Sequence, residues 1–325
     1  MNTFRFLLAA LLLPAVLCVC TLTEAQDNPE QPQQTIRVSV DRVNVGVIVT
    51  DARGHFVEGL RREDFQVFDN GIEQPLTDFA AIEEPAQVLL LIEAGPAVYL
   101  LGRTHVLASD ILLRSLSAND RVAIASYSKD PELLLDFTPD KPTAQLALQS
   151  LNFMLGFAEL NLSSSLASAI DWLAPLAGKK TIVVLSTGID SSPMEKWQLI
   201  QQKLKTSDVR ILAVSLSGDF RKPVKGRKLS AQERENQEFV KKGFAQADQA
   251  LRELSQATGG RVYLPKNEKE FNRAYSEIAQ VVRHEYSIAF SPPSSDGQLH
   301  TIEVKVKHLW CRVDHRQAYV APAPK

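Results

Sequence analysis

The sequence predicts an α/β protein: a doubly wound, mostly parallel sheet flanked by helices, with a small β-sandwich-like module built from N- and C-terminal segments. Three observations lead there. Continuous apolar runs such as "QVLLLI" and "KTIVVLST" have the composition of strands buried on both faces. They alternate with stretches whose apolar residues recur at helical spacing. Toward both ends of the chain the period drops to two, as in "IRVSVDRVNVGVIVT" and "HTIEVKVKH".

The elements follow in order. Residues 1–25 read as a signal peptide: Arg5, then the apolar stretch "FLLAALLLPAVLCVC", then small residues at Thr23 and Ala25 before Gln26. The apolar run is shorter than about 18 residues and Pro14 interrupts it, so no retained membrane span is expected. Cys18 and Cys20 raise a lipid anchor as an alternative, against which stand the large residues Leu17 and Val19 before them. The expected location is therefore secreted or periplasmic. Cleavage after Ala25 leaves Cys311 as the one cysteine, so no intrachain disulfide is available and the core must hold the fold. Residues 26–34 are polar and Pro-rich, a disordered leader.

Residues 35–84 form an N-terminal β module, with a two-residue hairpin at Asn70-Gly71. Residues 85–283 form the α/β domain. Its strands are read at 87–92, 120–128, 180–187 and 209–217, followed by "RVYLP", with helices between them. A long helix beginning near "QEFVKK" is closed by Gly259-Gly260. The basic stretch 220–234 reads as a solvated loop. Residues 284–321 return to β and complete the module begun at 35–84; 322–325 are a tail. A chain of 325 residues with 45% hydrophobic content supports one large core or two modest ones. Its net charge of −2 gives no basic footprint for nucleic acid.

Taken in order, these segments resemble the von Willebrand factor A (vWA) domain, a Rossmann-like fold. They are most similar to the vWA-related family described from acidobacterial genomes. The likeness is carried by "VNVGVIVTDARGHFVEGLRREDFQVFDNGIEQPLTDF", "VLLLIEAGPA", "TIVVLSTGIDSS", "VRILAVSL", "ATGGRVYLP" and the β ending from "HEYSIAFSPP" to "RVDHRQAYVAP". It spans roughly residues 35–321. The resemblance implies a divalent-ion site, usually for Mg²⁺, at the C-terminal edge of the sheet. It is built on Asp-x-Ser-x-Ser, a later Thr and an Asp after the fourth strand.

Mapped onto this chain, Glu93 takes the first Asp position, Gly95 and Ala97 the two Ser positions, Ser164 approximates the Thr, and Thr187 takes the second Asp. Mg²⁺ demands near-octahedral oxygen ligands at about 2.0–2.1 Å. Glu93 is one methylene longer than Asp, Gly95 and Ala97 bring no oxygen, and Thr187 brings no charge. The site therefore reads as vestigial: no cofactor is expected, with weak Mg²⁺ binding as the alternative. Pro96, Ser163, Asp190 and Ser191 are the candidate partner-binding positions in the same loops.

Other constellations carry less. His308, Cys311 and His315 offer metal-ligand atoms, but Cys311, Val313 and His315 share strand parity and read as a packing face. Ser186 or Ser191 with His284 would suggest a hydrolase, yet no nucleophile-elbow pattern surrounds either serine. Trp172 and Trp197 read as packing residues. The expectation is a non-enzymatic module that binds an unidentified protein through loops at the C-terminal edge of the sheet. The alternative is a structural or assembly scaffold of the cell envelope.

Overall fold

In the computed structural model, the residues described are 42–80, 85–100, 104–153, 159–218, 230–307 and 310–323. The signal and leader readings (1–34), most of the basic stretch and His308 lie outside them.

Six strands form the central sheet: β5 (Ala86–Glu93), β6 (Arg121–Tyr127), β7 (Pro131–Thr138), β8 (Lys179–Ser186), β9 (Arg210–Ser215) and β10 (Val262–Tyr263). Their spatial order is β10-β9-β8-β5-β6-β7. Every pairing is parallel except β6 with β7. Counted along the chain from β5, this is the doubly wound order 3-2-1-4-5-6. The chain leaves β5 toward β6 on one side and later returns to β8 on the other, so the crossover reverses between β5 and β8.

Both faces of this sheet are covered, which explains the unbroken apolar runs. Val88, Leu90 and Ile92 point to one side. There they pack with α2 (Thr104–Ser115), α3 (Lys141–Gln149) and α7 (Glu268–Arg283) through Leu112, Leu148, Tyr275 and Ile278. Leu89 and Leu91 point to the other side. There they meet α4 (Leu162–Leu173), α5 (Met194–Thr206) and α6 (Ala231–Ala257) through Leu166, Ile200 and Leu251. Trp172 and Trp197 are partly buried against this second layer, as read from their spacing. A short helix, α1 (Pro96–Leu100), follows β5 directly.

The remaining strands are antiparallel: β1 (Val43–Thr50), β2 (Phe65–Asp69), β3 (Ile72–Gln74), β4 (Leu76–Ala80), β11 (Tyr286–Phe290), β12 (Leu299–Val306), β13 (Arg312–Asp314) and β14 (Ala318–Val320). They make two four-stranded sheets, β13-β1-β11-β4 and β14-β12-β2-β3. In each, N-terminal strands hydrogen-bond C-terminal ones: Val45 lies opposite Ile288, and Val67 opposite Val304. Alternate residues of both sheets, Val45, Val47, Val67, Ile288, Phe290 and Ile302 among them, form one core. Asn70 (φ 47°) and Gly71 (φ 80°) make the tight β2–β3 turn, where two positive φ values match the twist of the strands.

Two local readings are corrected. "PELLLDFT" forms β7, which had no counterpart in the sequence reading. It is an antiparallel edge strand that buries one side only partially, so its pattern is neither a buried run nor a clean alternation. Residues 231–234, inside the stretch taken as loop, are the first turn of α6. Ser230 accepts from the Glu233 backbone N–H at 3.2 Å, and the Glu233 carboxylate accepts from the Ser230 N–H at 2.9 Å. This reciprocal capping box was present in the sequence as S-x-x-E.

Candidate functional site at the C-terminal edge of the sheet

In open α/β sheets the crevice outside the strand carboxyl ends, where the crossover reverses, is the usual ligand position. Here three strands deliver their last residues to that point: Glu93 from β5, Tyr127 from β6 and Ser186 from β8, with Thr187 next in the chain. All four are buried. Glu93 Oε2 accepts from the Thr187 backbone N–H at 2.7 Å, from Thr187 Oγ1 at 2.8 Å and from Ser186 Oγ at 3.1 Å. Tyr127 OH lies 2.7 Å from Ser186 Oγ and 3.4 Å from Glu93, so its proton goes to the serine. Gly188 N–H donates to the same serine oxygen at 2.8 Å. The result is a relay, Tyr127 to Ser186 to Glu93.

Among the described residues, no cation pairs with Glu93. Burial pushes its carboxyl above the usual carboxylate range, and the donors from Thr187 and Ser186 pull it back in part. Burial also holds the Tyr127 hydroxyl well above its ordinary value, with the Glu93 charge adding to it.

The other mapped metal-loop positions do not surround this carboxylate with oxygen. A Cβ on Gly95 would lie 2.7 Å from Leu160 Cδ2, so a buried leucine occupies the space that a side chain at 95 would need. Ala97 lies in α1, and Pro96 takes the first position of that helix, where its missing N–H costs little. Ser163, rather than Ser164, faces the loop. Its hydroxyl and its backbone N–H (3.2 Å) both donate to Asp190 Oδ2. Asn161 at the start of α4 makes no side-chain cap, and the Asp190 carboxylate takes that role from a different loop. Ser164 is half-buried, one residue further round the helix. Ser192 N–H donates to Asp190 Oδ1 at 3.0 Å, and Ser191 N–H donates to the Leu160 carbonyl at 2.6 Å. This donor set falls short of an octahedral Mg²⁺ site: one carboxylate already accepts three close donors, and two of the five positions lack oxygen.

His284 and Ser186 are each engaged with other partners. His284 contacts Glu58 Oε1 and the Gln280 carbonyl, each at 2.7 Å, while Ser186 is committed to Glu93. Two features were missed. Ser215 and Ser217 at the end of β9 donate to Asp248 Oδ1 of α6, at 2.6 and 2.9 Å. The polar residues closing "LAVSLS" were the available signal. An apolar groove of about 700 Å³ also opens beside Asp190, between the loop after β8 and α6. Ile189, Met194, Trp197, Phe239, Val240 and Phe244 line it. Met194 and Phe239 are 68% and 79% exposed, unusual for side chains of that size.

The strand order, with helices on both faces of the sheet, is that of a vWA-like α/β fold. No family model and no curated protein matches the chain. Among solved structures, it is similar to a von Willebrand factor type A protein from Catenulispora acidiphila, with 10% identity and a TM-score of 0.47. That match covers 88% of this chain and 75% of the other. An aerotolerance-related membrane protein from Bacteroides fragilis matches at 15% identity and a TM-score of 0.44, over 61% of this chain and 98% of its own. BatB from Bacteroides thetaiotaomicron matches at 16% and 0.42, over 61% and 97%. No helix among the described residues is long and apolar enough to cross a membrane.

Proposed function

We propose that this chain is a non-enzymatic protein-binding module that recognises its partner through the loops at the C-terminal edge of the sheet, without a metal ion. The observation that carries the reading is the exposed apolar groove against the Asp190 loop. A patch of large apolar side chains left open to solvent is the ordinary mark of a protein contact. The Glu93 and Asp190 networks hold the loop that forms one wall, so the groove is supported without an ion. Export to the envelope or beyond, through the segment 1–25, belongs to the same proposal.

The test is capture from the native envelope fraction, comparing the parent chain with Met194→Asp and Phe239→Asp variants. Loop recognition requires a specific captured protein to be lost in both variants while their melting curves match the parent. Capture that survives both changes would favour the scaffold reading.

A further inference from the structure

We infer a second binding surface, for an acidic polypeptide segment, at the opposite edge of the central sheet. Arg261 precedes β10, so its pocket lies at the N-terminal edge of the strands, away from Glu93. The pocket has a volume of about 830 Å³ and is lined from four elements. The Asp51–Gly54 turn brings Arg53, α6 brings Arg252 and Gln256, the approach to β10 brings Arg261, the approach to β13 brings Trp310, and the first residue of that strand is Arg312.

Four guanidiniums meet two carboxylates there. Asp314 is taken by Arg261 (2.5 Å) and Arg312 (2.8 Å) together. Asp51 accepts from its own turn, from Arg53 N–H at 2.8 Å and His55 N–H at 2.9 Å. Arg252 reaches only the neutral Gln249, at 2.8 Å, and the Arg53 guanidinium has no partner among the described residues. Two positive charges are thus left over at this mouth, on a chain whose total is −2.

Trp310 stands beside them, 85% exposed, on a left-handed backbone (φ 67°) that a non-glycine residue rarely adopts. Trp and Arg are enriched among the few residues that carry most of the energy of protein contacts. Guanidinium forks match carboxylates in two-point contact, and the indole face covers apolar or proline side chains between them. An acidic, extended segment meets both demands. This surface does not rest on the function proposed above, since it shares no residue with the groove.

The experiment is calorimetric titration of the full chain with poly-L-glutamate at low ionic strength. Saturable binding that weakens with salt is expected. Arg53→Glu with Arg252→Glu should weaken it by about tenfold or more. Trp310→Gly should also weaken it, and a glycine suits that backbone, so loss of fold does not confound the result. Heparin and a single-stranded oligonucleotide of matched charge serve as competing ligands. Absent binding, affinity unchanged in both variants, or tighter binding of either competitor would overturn the proposal.

Discussion

Glu93 and Glu285 are both buried carboxylates, and the chain satisfies them by different means. Glu93 sits among neutral donors, one backbone N–H and two hydroxyls, with no counter-charge. Glu285 receives Arg210 Nε at 2.8 Å, with both side chains almost fully buried. The same guanidinium also donates to the Gly46 carbonyl at 3.0 Å and to the carbonyl of Gly259. Arg210 thus ties β9 to β1 and to the residue just before β11. The first arrangement shapes a loop, and its carboxyl is held above the usual range. The second joins the α/β layer to the β strands and places a permanent charge against the carboxylate.

The largest effect should come from breaking the charged joint. Arg210→Ala leaves Glu285 buried without its partner, and a loss of about 3–5 kcal/mol in denaturant stability is expected. Replacing both partners, as Arg210→Met with Glu285→Leu, should recover most of that loss. If the double change is as damaging as the single one, the contrast with Glu93 rests on shape and not on charge.

Glu93→Ala should cost less, about 1–3 kcal/mol, because it strands neutral donors, chiefly the Thr187 N–H, and no ion. The comparison breaks if Glu93→Ala equals or exceeds Arg210→Ala.

Smaller still is the effect of pH. A carboxyl raised in the folded state binds a proton more readily there than in the unfolded chain. Its contribution therefore turns unfavourable as pH rises from the ordinary carboxylate range through the raised folded value, and is constant above it. Glu93→Gln should flatten that part of the stability profile. A third carboxylate sharpens the point. Asp69 faces His300 Nδ1 at 2.8 Å, and this hydrogen bond holds the imidazole above its ordinary value. The stabilisation from this pair is full below the unfolded histidine value and is lost as pH rises through the folded one. A profile in His300→Gln that keeps the parent's slope near neutrality would contradict this.

The smallest expected effect is none: millimolar Mg²⁺ against chelator should not move the melting temperature. An ion bound at about a hundred times its Kd would add about 2.7 kcal/mol and be readily seen. Rebuilding the loop as Glu93→Asp, Gly95→Ser, Ala97→Ser and Thr187→Asp should create ion-dependent stabilisation. It needs Leu160→Ala as well, since that leucine fills the space beside position 95.

Much of the architecture was legible because burial on two faces and on one face leave different periods. "QVLLLI" and "TIVVLS" have the composition of strands inside a covered sheet, and Asn70-Gly71 is a strong signal for a tight turn. The edge strand β7 was not legible, because a half-covered strand carries neither period. At the site, the sequence located Glu93 and Thr187 at strand ends and established that Gly95 and Ala97 offer no oxygen.

What it left open was which groups would meet. Tyr127 closes a different strand from Glu93, and Ser163 and Ser164 are neighbours with equal chemistry. Only the pairing of β5 with β6 and β8, and the turn of α4 toward Asp190, selected among them. Gly46 shows the same limit. In "VNVGVIV" it is one more strand residue, yet a Cβ there would lie 1.9 Å from Glu285 Oε1. Local composition determines strand, helix and turn, because those depend on neighbours in the chain. Hydrogen-bond partners tens to hundreds of residues apart depend on strand order, which exists only once the sheet has formed.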